Sequence, residues 1–339
     1  MFEWLYSYIY SLGSVWQIIL FIVFLLLGFF LLIKGADLFV NSASFIARAM
    51  EIPAIVVGMT LVAFGTSAPE ASVSISSVLS GSAGISIGNI IGSNMFNLLV
   101  VLGLSSIFIP VALERSVVEV DVLFMTISSI VLLIFGVFFN ANGQVILLQI
   151  EAVIMFLMLM AFLVYTVLKA IKNHVDVPDD KTITKKKIVF AVIGVIVGLA
   201  GVVAGGDFVV FGAKNIAIGL GASEMLVGLT IVAVGTSLPE LITSLVAMRK
   251  KENEIALGNV IGSNIFNILF VLGVSGAIAP LTIELNAIID ITILAVVSIF
   301  FFIYCLFRKD INRATGIVMV SMYVAYLVYI VLRDFVFIM

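Results

Sequence analysis

Along the chain, apolar stretches of bilayer-spanning length alternate with short polar breaks. Ten such runs predict ten helices, over about 16–48, 53–80, 84–110, 117–139, 145–171, 188–218, 223–248, 255–280, 287–307 and 314–331. Each reaches the ~17 residues that an α-helix needs to cross a membrane. Residues 172–187 form the one distinctly polar connection between them. Ahead of the first run, residues 1–14 carry Trp4, Tyr6, Tyr8 and Tyr10 but neither Lys nor Arg. That pattern suits an interfacial segment better than a cleaved signal sequence.

Polar positions inside the runs are few, and they repeat. Gly58-Met59-Thr60-Leu61-Val62-Ala63-Phe64-Gly65-Thr66-Ser67-Ala68-Pro69-Glu70 returns as Gly228-Leu229-Thr230-Ile231-Val232-Ala233-Val234-Gly235-Thr236-Ser237-Leu238-Pro239-Glu240. Nine of the thirteen positions are identical, at an offset of 170. Gly88-Asn89-Ile90-Ile91-Gly92-Ser93-Asn94-Met95-Phe96-Asn97 returns at the same offset as Gly258-Asn259-Val260-Ile261-Gly262-Ser263-Asn264-Ile265-Phe266-Asn267. Asn89, Ser93 and Asn97 stand four residues apart, a polar stripe down one helix face, and Asn259, Ser263 and Asn267 do likewise. Gly88 with Gly92, and Gly258 with Gly262, are spaced to let neighbouring backbones approach. Asp37 and Asp207 share the offset and read as structural. The repeat therefore predicts a five-helix half at 1–171, a linker at 172–187 and a second five-helix half at 188–339.

Composition sharpens this picture. With 63% hydrophobic and 11% charged residues, against about a quarter charged in a soluble domain, the chain reads as an all-α polytopic membrane protein. Cys305 is alone, which excludes an internal disulfide and a cysteine metal site. His174 lies among charged loop residues and reads as solvated. No basic stripe offers itself to nucleic acid.

The cations set the topology. Arg48, Arg115, Lys169, Lys172, Lys181, Lys185 to Lys187, Arg249 to Lys251, Arg308, Lys309 and Arg313 all fall at one set of run ends, fourteen of seventeen Lys and Arg. That side is predicted to be cytoplasmic, with both termini outside. Five is odd, so the second half is expected to be inverted relative to the first. Inverted repeats with paired broken helices, here the second and seventh, mark secondary transporters.

Glu70 and Glu240 each sit about midway along an otherwise uncharged run, where a charge is costly and usually functional. Pro69 and Pro239 have no N–H, so the carbonyls of Gly65 and Gly235 lose their helical partner, and the preceding residue is pushed from the helical region. In lipid such a break survives only around a protein-buried or watery cavity. Freed carbonyls, Thr66, Thr236, Ser67, Ser237 and the two glutamates make a hard, all-oxygen environment suited to Ca²⁺ or Na⁺. The bland alternative, a structural carboxylate paired with a buried cation, finds no basic neighbour near either glutamate. Asn97 and Asn267, one turn beyond Ser93 and Ser263, are candidate ligands. Asn89, Asn94, Asn259 and Asn264 read as packing and capping groups, and Glu119, Asp121, Glu151 and Asp290 as interfacial.

At these residues the chain resembles the Ca²⁺/cation antiporter superfamily, specifically the prokaryotic sodium/calcium exchangers, over essentially its whole length. The duplicated Gly-Thr-Ser-x-Pro-Glu and Gly-Asn-x-x-Gly-Ser-Asn motifs are highly specific for that group. The resemblance implies a transporter rather than an enzyme, without a cofactor, in which spans 2, 3, 7 and 8 enclose the ions and spans 1 and 6 slide past them. It implies that Glu70, Glu240 and the carbonyls of Thr66 and Thr236 hold Ca²⁺. Na⁺ sites would draw on the same glutamates, the hydroxyls of Ser67 and Ser237, the carbonyls of Ala63 and Ala233, Ser93, Ser263 and Asn97. It also implies three Na⁺ per Ca²⁺, and Asn267, where potassium-dependent members have aspartate, argues against a need for K⁺. Proton-coupled members carry a glutamate soon after the Gly-Asn. Here Ile90, Ile91 and Gly92, or Val260, Ile261 and Gly262, follow instead. Na⁺ is therefore the expected coupling ion, with a Ca²⁺/H⁺ antiporter the runner-up.

A cation channel is the rival from another class. Two carboxylates ~5 Å apart repel by ~3 kcal/mol at an effective dielectric of 20. An empty, doubly negative site resists movement across the membrane, whereas a cation-filled one can move. Two occluding broken helices also argue against a continuous pore.

Overall fold

Helices take up nearly all of the apolar runs in the computed structural model, which describes residues 9, 14–81, 83–138, 140–141, 144–172, 184–220 and 233–337. α1 (Ser14–Ala49) is followed by α2 (Ala54–Thr66) and α3 (Ala68–Leu79), which meet at a 45° bend. α4 (Ala83–Phe108), α5 (Arg115–Gly136) and α6 (Gln149–Lys172) complete the first half. The second half comprises α7 (Lys185–Gly219), α8 (Ala233–Thr236), α9 (Leu238–Arg249), α10 (Asn253–Ile278), α11 (Leu285–Phe307) and α12 (Arg313–Phe337). Among the described residues eight helices are long and apolar enough to span a membrane, nine if α2 and α3 count as one. The start of the expected seventh span, including Thr230, lies outside the described residues, as do His174 and most of the linker.

Prolines turn two helix ends into strands. Ile109 and Ala279 precede Pro110 and Pro280 and are extended, as the following pyrrolidine ring requires, so α4 and α10 stop there. The chain continues as β1 (Val111–Ala112) in one half and β4 (Leu281–Thr282) in the other. With β2 (Asn140–Ala141), β3 (Gln144–Leu147) and β5 (Asp310–Ile311) these make three short antiparallel ladders in two sheets, β1-β5 and β2-β3-β4. Val111 lies opposite Ile311, and Ile146 opposite Thr282. The offset of 170 carries β1 onto β4 and β2 onto β5. Residues 145–147 were expected to open the fifth helix. They form a strand instead, because β4 supplies the hydrogen-bonding partner that a helix start would lack.

Burial locates the centre. In α10, 94% of the most apolar window is buried and in α4 83%, against 28% in α1 and 33% in α7. α1 and α7 lie at the periphery, packed on each other through glycines. A Cβ at Gly28 or Gly35 would fall 2.6 Å from Val209 N or 2.7 Å from Val202 N. One at Gly198 or Gly205 would meet Phe39 N or Leu32 N at 2.6 Å. Gly258 and Gly262 admit α2 just as closely, against Ile55 and Met59. At Gly88 and Gly92 nothing among the described residues comes within 4 Å of a Cβ. Met225 and Leu229, which the offset relates to Ile55 and Met59, lie outside the described residues.

The acids expected at interfaces divide. Glu119 is exposed and pairs with Arg115 at 2.6 Å. Asp121, Glu151 and Asp290 are buried, held respectively by Lys169 at 3.9 Å, the Leu148 N–H at 2.7 Å and Arg333 at 3.0 Å. Their partners come from elsewhere in the fold or from a helix start, which depth along a span does not reveal. Asp37 is tied to Lys250 at 2.6 Å, joining α1 to the turn between α9 and α10.

Candidate cation site

Ser67 and Ser237 cap the second segments of the two broken runs, and Glu70 and Glu240 lie in the first turns of α3 and α9. Each carboxylate thus faces the positive end of a helix dipole. At the first break, backbone N–H groups reach the carbonyls of Ala63 and Gly65. The Gly65 carbonyl, deprived of an N–H at Pro69, is therefore taken up locally and is not left free as expected. The Ala63 carbonyl accepts the Ser67 N–H at 3.0 Å. In the second half the Ser237 N–H instead reaches Val234, at 3.2 Å.

The two halves hold each other's carboxylates. The Ser67 hydroxyl donates to Glu240 Oε1 at 3.2 Å, and the Ser237 hydroxyl to Glu70 Oε1 at 3.1 Å. Ser93 also donates to Glu70 Oε1 at 3.2 Å, and lies 2.9 Å from Ser237. Both glutamates are wholly buried, and among the described residues Oε2 of each has no hydrogen-bond partner. Among the described residues no cation pairs with either. Buried polar atoms are nearly always satisfied, so two unsatisfied carboxylate oxygens fit a site that receives a cation.

The asparagine stripes close around this pair. Asn97 is buried, and neither of its amide atoms has a partner. Asn267 donates to Asn94 at 3.5 Å and leaves its own oxygen unsatisfied. Both lie in widened π turns, Asn97–Val101 and Phe266–Leu272, which re-aim side chains and commonly occur at functional positions. Asn89 donates to the Glu70 carbonyl and to Ser74, at 3.3 and 3.0 Å. Asn259 repeats this on the Glu240 carbonyl and Ser244, at 3.3 and 2.9 Å. Those two asparagines are braces.

Thr66 is buried, its hydroxyl within reach of the Val62 carbonyl (3.1 Å), Asn259 Oδ1 (3.0 Å) and Ser263 (3.5 Å). With the hydroxyl engaged, its carbonyl is the group left to meet an ion. Thr236 is half-buried at the end of α8, and Ala233 opens that helix. Ser74 and Ser244 escaped sequence reasoning, although the offset of 170 relates them too. The π turns carry no comparable sequence signal.

Comparison with known proteins bears on what this geometry serves. The pattern of the sodium/calcium exchanger protein family matches residues 20–170 and 190–332. A protein of Alkalimonas amylolytica bearing the antiporter name CaxA is 39% identical, over 78% of this chain and 83% of its own. The sodium/calcium exchanger MaX1 of Methanosarcina acetivorans is 32% identical over 90% of this chain and 96% of its own. Among solved structures, the sodium-calcium exchanger NCX_Mj superposes with a TM-score of 0.81 at 32% identity, covering 92% of this chain and 99% of that one.

Proposed function

The chain belongs to the sodium/calcium exchanger protein family, and from that premise we propose that it exchanges Na⁺ for Ca²⁺ across the plasma membrane by alternating access. It is a membrane transporter and not an enzyme. The observation that carries the finer reading is the reciprocal pairing of Ser67 with Glu240 and Ser237 with Glu70. It draws two buried carboxylates into one site and leaves each with an open oxygen.

In this reading Glu70, Glu240 and the carbonyls of Thr66 and Thr236 bind Ca²⁺. The serine hydroxyls of 67, 237, 93 and 263, the carbonyls of Ala63 and Ala233, Asn97 and Asn267 complete the Na⁺ sites. Ten helices form two inverted repeats, 1–171 and 188–339, with both termini outside and the linker at 172–187 in the cytoplasm. The ladders support this inversion, because β1 pairs beyond α4 and α11 while its repeat counterpart β4 pairs beyond α5 and α10. α1 and α7, peripheral and joined by glycines, are the pair that moves. Exchange is electrogenic, three Na⁺ for one Ca²⁺, and independent of K⁺.

The test is Ca²⁺ uptake into Na⁺-loaded proteoliposomes, with and without an imposed pH gradient. Uptake should follow the Na⁺ gradient alone. Uptake that follows the pH gradient without Na⁺ would identify a Ca²⁺/H⁺ antiporter, and flux without counterflow a channel.

A further inference from the structure

On the face where the linker joins α6 to α7, a chamber of about 510 Å³ opens. It lies between the C-terminal ends of α1 and α6 and the N-terminal ends of α2, α5 and α10. Glu114, Asp121, Glu252 and Glu254 line it against two cations, Arg48 and Lys169, leaving two negative charges in excess. The cations are engaged. Arg48 lies 3.5 Å from Glu252, which also accepts the Ser44 hydroxyl, and Lys169 lies 3.9 Å from Asp121. Glu114 and Glu254 are exposed.

A second, independent feature lies on the same wall. Thr166 is 1% exposed, yet its hydroxyl has no hydrogen-bond partner. Asp121 is 2% exposed, and the long approach of Lys169 is its one ion pair among the described residues. Buried hydroxyl and carboxylate oxygens left this way suit a hard cation with its water shell.

Among the described residues the opposite face does not repeat this set, and Glu224, onto which the offset carries Ala54 of the chamber wall, lies outside them. The offset of 170 carries Glu114 onto Glu284 but Glu254 onto Gly84, Glu252 onto Ser82 and Asp121 onto Ile291. The correspondence is spatial, because a Cβ at Gly84 would lie 3.9 Å from Glu284 Oε1. At these positions the pair Glu114 and Glu254 is replaced by Glu284 beside Gly84.

We propose that the chamber is a collecting site for divalent cations on the linker face, with Glu114 and Glu254 at its mouth and Asp121 and Thr166 at depth. Its apolar wall includes Ile55, Val56 and Met59 of α2. From Met59 to Thr66 is ~10 Å along the helix axis, at 1.5 Å per residue. A cation held here would lie on the linker side of Glu70 and Glu240, separated from them by about that stretch of α2. A charged cleft concentrates a doubly charged ion more than Na⁺, and salt weakens the effect. The proposal rests on the exchanger reading for the ion's destination but not for its binding.

Two measurements separate these. In a Glu70→Gln/Glu240→Gln background, Mn²⁺ titration followed by electron paramagnetic resonance should show one residual weak site, abolished by adding Glu114→Gln/Glu254→Gln. No residual site would overturn the proposal. With Glu70 and Glu240 intact, Glu114→Gln/Glu254→Gln should raise the half-saturating Ca²⁺ concentration at the linker face about tenfold, the low end of what charged clefts give. The maximal rate should hold, and vesicles of the opposite orientation should be unaffected. Gly84→Glu should lower half-saturation at the opposite face. Equal shifts on both faces, or none, would overturn the assignment. Failure of Na⁺-driven exchange in the unmodified protein, with Mn²⁺ still bound, would sink the exchanger reading and leave the chamber standing.

Discussion

The Ser67 hydroxyl donates to Glu240 Oε1 across 3.2 Å, so a residue of one half holds the carboxylate of the other. Ser237 returns the bond to Glu70. Neither half can build the site alone. Glu70→Gln and Glu240→Gln should each abolish Ca²⁺ exchange while leaving the protein folded, because each removes one of two charges facing a divalent ion. Ser67→Ala and Ser237→Ala should each reduce exchange about tenfold, consistent with hydrogen bonds to a charged group worth about 1.5–3 kcal/mol. Near-normal ⁴⁵Ca²⁺ flux in either glutamine variant would rule out a two-carboxylate site.

The Asn97 side chain makes no hydrogen bond among the described residues, although it is fully buried. Asn97→Leu keeps the shape and forfeits no such bond. Thermal stability should hold or rise, while Na⁺-dependent exchange falls by at least about tenfold, or ~1.4 kcal/mol. Loss of stability in step with loss of transport would make Asn97 a packing residue.

A side chain at Gly35 must push α1 away from α7, since even a Cβ would lie 2.7 Å from Val202 N. Gly35→Val should destabilise by about 1–3 kcal/mol, the usual cost of overpacking, and stop exchange. Gly136→Ala, whose Cβ would make only ordinary contacts among the described residues, with Ile283 and Ile291 at 3.4 and 3.5 Å, should leave both unchanged. Unfolding temperatures in detergent and flux in liposomes distinguish the two positions.

The basic residues predict that Lys185 to Lys187 face the cytoplasm. On a Cys305→Ser background, a cysteine introduced at Lys186 should react with an impermeant maleimide only after the cells are opened. Reaction in intact cells would reverse the topology and remove the argument for inverted halves.

With the proposed three Na⁺ per Ca²⁺, two carboxylates would carry +1 when Na⁺-loaded and no net charge when Ca²⁺-loaded, so one net charge should cross per cycle. That charge is worth ~2.3 kcal/mol per 100 mV. An inside-negative potential should drive Na⁺ in and Ca²⁺ out. With the potential clamped by valinomycin and K⁺, flux indifferent to voltage would refute the charge count.

The 45° bend between α2 and α3, just ahead of Pro69, was legible because a repeat exposes what a single copy leaves ambiguous. Two carboxylates at matching depth in uncharged runs say more than one. What those carboxylates bind to was not legible, since the Ser67–Glu240 bond spans residues 173 apart. The π turns at Asn97 and Asn267 were hidden too, because a widened turn carries no residue signature. Residues 145–147 misled for a related reason. An apolar run beside a helix reads as more helix until a strand such as β4 is known to lie alongside. Asp121 and Asp290 were placed at interfaces by their position along a span, but Lys169 and Arg333, from other helices, allow them to be buried.

The ladders fasten the connections around α4, α5, α6, α10, α11 and α12, and among the described residues neither α1 nor α7 enters one. Those six helices therefore form a frame buttoned at both rims by backbone hydrogen bonds. A displacement of the glycine-joined pair has one seam to run along and little give elsewhere. In the proposed cycle, force developed at the carboxylates would be channelled into a single stroke instead of dissipating as breathing of the whole bundle.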